Sequence, residues 1–254
     1  MAFLEGIDKE LKDIERSPMN AKEKEKSIDK LQKKFNDAQT KHAKETLRAL
    51  FGEPTENRSF DIKYEERDKY GNKKPSKRDR NDVKEVVEDA MRHVQGILDD
   101  LGIEYKNKKG LLVFTQPNNK TSQHGRDDYG NGILLMCLKS DGGIVGMPLK
   151  LNPFEGTVHE IIHEIVYNNP LLQQKLKRLL DHDSPLLPSY YCAKEYSQND
   201  RFPQELLPMF FTCLISDTSL RHDMDVVVRT GTEFASKFPD YFNGIMNILR
   251  GLKK

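Results

Sequence analysis

Phe3, Leu4, Ile7, Leu11 and Ile14 recur at close to 3.6-residue spacing, which predicts an amphipathic helix over residues 3–15. Ser17-Pro18 stops it. A longer helix is expected from Ala21 to Phe51. There Ile28, Leu31, Phe35, Ala38, Leu47 and Leu50 form a thin apolar stripe among lysines and glutamates, and Gly52-Glu53-Pro54 ends it. The two read as an antiparallel helical hairpin over residues 1–51. A thin stripe with mixed charge points to one buried and one solvated face, hence to bracing. Recognition of a partner or substrate is the competing role.

Residues 52–81 are charged and rich in turn formers, and read as a linker or mobile loop. Periodicity resumes near Asp82, with Val83, Val86, Val87, Ala90, Met91, Val94, Ile97 and Leu98 on one face and Asn81 as the expected cap. Leu101-Gly102 stops that helix. A second domain, residues 82–254, is placed from here. Short apolar runs predict strands at 110–115 and 132–138, and Asp141-Gly142-Gly143 predicts a hairpin turn into a third strand, Ile144–Lys150. Pro148 puts this last strand at a sheet edge, where an extended peptide can pair with it. Helices are then expected at 157–167, 171–180, from about Phe202 through Ile215, at 226–237 and at 241–252. The class implied is α+β: mainly helical, with a small mixed or antiparallel sheet, preceded by the helical hairpin.

Composition narrows the setting. Lys+Arg number 41 against 40 Asp+Glu, so the net charge of +1 gives no global attraction to nucleic acid. The basic run Lys73–Arg80 is the local candidate for an acidic partner, and a solvated loop is its simpler reading. Cys137, Cys192 and Cys213 show no C-x-x-C spacing and read as reduced thiols, which argues against a cysteine zinc site. The first ten residues have no basic-then-apolar pattern, so no Sec signal peptide is visible, and no run approaches a membrane span. The expectation is a protein made in the cytoplasm.

The chemistry concentrates in Val158-His159-Glu160-Ile161-Ile162-His163-Glu164. In a helix, positions i and i+4 stack on one face, so His159 and His163 can hold one metal ion while Val158, Ile162 and Ile165 enter a core. Glu160 follows the first histidine and can reach a water on the metal, where a general base must stand. A surface helix with two solvated histidines is the bland alternative. It sits poorly with the apolar character of 157–167, since histidines in such a helix need partners.

A catalytic zinc site takes three protein ligands and leaves one position open. Asp181, His182, Asp183, Glu195 and Glu205 are the candidates for the third. The tight His-x-x-Gly-x-x-His continuation of metzincins is absent, because Asn168 and Asn169 stand there. His182 lies in a Pro-rich loop. Glu205 opens a strongly apolar helix, where a carboxylate without a partner is costly and metal binding would resolve the cost.

With these features the chain resembles the anthrax lethal factor-like zinc peptidases. That family has the His-Glu-x-x-His helix, a gap of some forty residues, a Tyr, and then a Glu ligand heading an aromatic helix. Here 42 positions separate His163 from Glu205, and the helix reads Glu205-Leu206-Leu207-Pro208-Met209-Phe210-Phe211. Ser216-Asp217-Thr218 and Tyr241–Ile245 also look like the family's C-terminal segment, so the resemblance covers about 157–250. It implies a zincin-type peptidase domain, with Zn²⁺ held by His159, His163 and Glu205 and with Glu160 as base. It also implies a Tyr on the oxyanion. Tyr196 is nearest to that role, nine residues before Glu205, and Tyr190 and Tyr191 compete with it. Pro208 departs from the family pattern and is tolerated only in a first helical turn.

The function implied is a zinc endopeptidase acting on a protein substrate held near Ile144–Lys150. The absence of a Sec signal and of a delivery domain looks similar to effectors or toxins injected into a host cell by a specialised secretion system. A helical interaction protein with a structural or vestigial zinc site is the alternative. The sequence is silent on oligomeric state.

Overall fold

The computed structural model describes residues 2–54, 62–67, 75–100, 111–115, 123–126, 128, 132–136, 152–179, 206–215, 235–236 and 239–250. Helix α1 (Ala2–Arg16) and helix α2 (Ala21–Phe51) follow the expected apolar periods. Asn20 caps α2: its side chain accepts from Glu23 N, and the Glu23 carboxylate accepts from Asn20 N. At the other end Gly52 takes a φ of +87°, and its N–H bonds Arg48 O at 2.8 Å. Helix α1 folds back on the first half of α2, where Ile7, Leu11, Leu31 and Phe35 form a small core of their own. Further along α2, Ala43 and Leu47 enter the main core. One helix therefore runs through both cores, and its second half braces the body of the protein.

Helix α3 (Lys77–Asp100) begins five residues before the expected start. Ser76, not Asn81, caps it, through Asp79 N to Ser76 Oγ at 3.1 Å. Charged first-turn residues hid this start, because they carry no apolar period. Helices α4 (Pro153–Asn168), α5 (Pro170–Leu179), α6 (Leu206–Ile215) and α7 (Pro239–Arg250) follow. The helix expected over 226–237 and the strand Ile144–Lys150 with its turn lie outside the described residues, apart from 235–236.

Strands β1 (Ile62–Tyr64), β2 (Leu111–Thr115), β3 (Gln123–Arg126) and β4 (Gly132–Met136) form one sheet in the order β1-β2-β4-β3. The class is α+β, mostly helical with a small sheet. The antiparallel alternative for that sheet is corrected: β1, β2 and β4 run parallel, and only β3 pairs antiparallel, at one edge. The physical reason lies in the connections. Helix α3 intervenes between β1 and β2, a crossover that returns the chain in the same direction. Strand β4 is buried along its whole length, as suits a parallel strand covered on both faces. Strand β1 fell in the expected linker and β3 between the strands expected at 110–115 and 132–138, since one is three residues long and the other reads Gln-His-Gly-Arg.

A polar joint ties α2, α3 and the start of α4 together. Lys44 pairs with Asp89, and its Nζ stands 5.3 Å over the ring of Phe154. His93 donates from Nδ1 to Asp89 O at 2.9 Å and packs edge-on against Phe154 at 5.6 Å. Its Nε2 is buried and has no hydrogen-bond partner among the described residues. Burial holds the His93 pKa below the usual histidine value; Asp89 opposes that shift, while Lys44 and Arg48 reinforce it. An unfolded chain then takes up a proton at His93 before the folded one does. Its contribution to stability is complete above about pH 6.5 and is lost as pH falls through the folded value. Urea midpoints between pH 8 and pH 5 should fall more steeply for wild type than for His93→Leu; equal slopes would show that His93 is not the linked group.

Candidate metal centre

Helix α4 starts where its sequence can cap it. Asn152 Oδ1 accepts from Glu155 N at 2.9 Å, Glu155 Oε2 accepts from Asn152 N at 3.2 Å, and Pro153 occupies the first turn. The helix thus begins four residues before the expected Thr157. Thr157 Oγ1 donates to Pro153 O at 2.7 Å, so this buried hydroxyl is satisfied within the helix. Phe154, Val158, Ile161, Ile162, Ile165 and Val166 are all buried. Their face packs against α3, α6 and the sheet, and among the described helix pairs α4 with α6 is the most extensive.

That packing decides where the motif points. His159, Glu160 and His163 are half-buried along the remaining face. The Nε2 atoms of His159 and His163 converge to 3.2 Å, with ring centroids 4.9 Å apart and planes at 74°. Two nitrogens bound tetrahedrally to zinc at about 2.0–2.1 Å stand about 3.3 Å apart. The same separation is a hydrogen-bond distance between the two imidazoles, so it allows a shared metal without requiring one. The second nitrogen of His159 is also held: Nδ1 lies 2.9 Å from Thr212 Oγ1 on α6. With Nδ1 donating its hydrogen to that hydroxyl, Nε2 keeps its lone pair for a metal.

The structure thus brings His159 and His163 together with Glu160 beside them. Glu205 and Tyr196 lie outside the described residues, as do Tyr190, Tyr191 and His182. Among the described residues no group of three or more His, Cys, Asp or Glu side chains is placed to hold a metal ion. Sequence reasoning missed Thr212. Its signal was a hydroxyl in the apolar run Leu206–Ile215, now 1% exposed, and a buried hydroxyl needs a partner.

No family model, no curated protein and no solved structure matches this chain. The functional reading therefore rests on the residues and their geometry.

Thr212→Val removes the hydroxyl at nearly constant volume. Zinc affinity, read by competition with a chromophoric chelator, should fall about 10–100-fold while the thermal transition stays cooperative. An unchanged affinity would mean that Thr212 does not orient His159.

Proposed function

We propose that this chain is a zinc-dependent endopeptidase. The observation that carries the reading is the 3.2 Å convergence of the His159 and His163 Nε2 atoms on one helix face. His159 and His163 supply two ligands and Glu205 the third. Position 205 precedes Thr212 by seven residues in the sequence, just before the first described residue of α6. Zinc, when bound there, lowers the pKa of a coordinated water to about 7 and polarises the scissile carbonyl.

Glu160 takes the proton from the attacking water and passes it to the leaving amine. Tyr196 donates a hydrogen bond to the developing oxyanion, with Tyr190 and Tyr191 as alternatives for that role. The substrate lies extended along a sheet edge. Ile144–Lys150 is one such strand from the sequence, and β3, the edge strand packed beside α4, is another. The setting we propose is an effector or toxin that cleaves a host protein after delivery by a specialised secretion system. Among the described residues no helix is long and apolar enough to cross a membrane.

Mass spectrometry of intact wild type should find one zinc per chain, lost in His159→Ala and in Glu205→Ala. Loss in the histidine variant alone would move the third ligand elsewhere, and no zinc in wild type after reconstitution would sink the reading. Glu160→Gln should keep its zinc while peptide cleavage falls by at least about 100-fold in kcat. Full activity in that variant would remove Glu160 from the role of base.

A further inference from the structure

Glu164 follows His163 on α4, yet it is 1% exposed. It stands one turn after Glu160, so the two carboxylates share a face of the helix. On one side Asn168 Nδ2 donates to Glu164 Oε1 at 2.7 Å and to Glu164 O at 3.0 Å. On the other side the carboxylate lies against the backbone of Gly132, the first residue of β4. A Cβ at position 132 would stand 2.7 Å from Oε2 and 2.8 Å from both Cδ and Oε1. A methyl there requires the Glu164 carboxylate, the far end of its side chain, to shift and so to disturb its bond from Asn168; glycine at 132 answers a close approach and not a turn.

The point of contact matters. Gly132 pairs with Leu111 of β2 on one side and with Arg126 of the antiparallel edge strand β3 on the other. The carboxylate therefore meets the sheet where three strands come together, at the rung that ends β3. A buried carboxylate is an expensive way to fill space that an apolar side chain could occupy. Its two oxygens lie close over a bare glycine while one accepts from Asn168, which a tetrahedral leucine terminus cannot reproduce.

We propose that Glu164 is a positioning residue. It fixes how far β3 stands from the Glu160 face of α4, and so where an extended substrate backbone lies relative to the base. The catalytic half of this inference rests on the peptidase reading; the contact itself does not.

The test is a double-mutant cycle in the full-length chain: Glu164→Ala, Gly132→Ala, and both together. The readouts are amide hydrogen exchange over residues 123–126, zinc content, and kcat/KM on a library of internally quenched peptides. Each single variant should raise β3 exchange and lower kcat/KM by at least about tenfold while one zinc per chain is retained. The double variant should be no worse than Glu164→Ala alone, because removing the carboxylate leaves room for the methyl at 132. Should Glu164→Ala fail to fold, Glu164→Ser, which also vacates the space over residue 132, carries the same comparison with Gly132→Ala. Unchanged exchange in β3, or additive losses in the double variant, overturns the contact. Loosened β3 with intact kcat/KM overturns the positioning role. A wild type that neither holds zinc nor cleaves any peptide overturns the peptidase reading and the positioning role with it, while the exchange data still judge the contact.

Discussion

The burial of the apolar face of α4 is the constraint on which the candidate site depends. Val158, Ile161, Ile162, Ile165 and Val166 are at most 2% exposed. Each contributes about 1.5–3 kcal/mol by leaving water. Turning the helix by one residue, about 100°, would expose several of them and drive the imidazoles inward. The helix therefore cannot rotate cheaply, and the direction of His159 and His163 follows largely from the packing of their apolar neighbours. Their 3.2 Å approach is expressed on the flank of that face, where His159 also meets Thr212 of α6.

Within that apolar frame the polar groups are few and placed at particular depths along α4. The Asn152–Glu155 capping box closes the first turn, and Thr212 meets His159 near the middle. Glu164 and Asn168 close the last turn against Gly132. A buried polar group that loses its partner costs about 1–3 kcal/mol, so each of these contacts holds one rotation and one axial position of the helix. Apolar packing alone permits sliding; such contacts do not. The joint formed by Lys44, Asp89 and His93 acts the same way at the N-terminal end, where Phe154 is held between α2 and α3.

The helices were legible because their apolar periods are strong. Helices α1 and α2 fall within a residue of the expected bounds, and α4 differs only by its capped first turn. The sheet was less legible. Strand β3 is polar because it lies at an edge, and β1 is too short to show alternation, so neither rises above loop composition. Parallel pairing is a property of connections and cannot be seen in a strand's own residues. For the site, the His159–Glu160–His163 spacing was readable as a local pattern. Thr212 and Gly132 were not, since each matters through a contact across the fold: 53 residues of chain separate His159 from Thr212. The fit of a bare glycine to a buried carboxylate leaves no mark in hydropathy.

The same geometry bears on the N-terminal hairpin. Helix α6 carries Thr212, and the proposed third ligand stands one residue before its first described position. Phe211, adjacent to Thr212, stacks on Phe51 at the end of α2, with centroids 5.6 Å apart and planes at 29°. Phe210 packs against Phe242 of α7 at 5.5 Å. The axial position of α6, and with it the hydroxyl on His159, is thus set partly by the last turn of α2. Bracing and recognition need not compete for that helix. Its second half holds α6 in place through Leu47 and Phe51, while its first half, with α1, carries a separate small core and a charged face. Aromatic stacking over buried area of this size is worth about 0.5–1.5 kcal/mol beyond burial itself, enough to favour one register of α6 over a slipped one. The contact of His159 on α4 with Thr212 on α6 requires a fixed register between the two helices, and α2 packs against both.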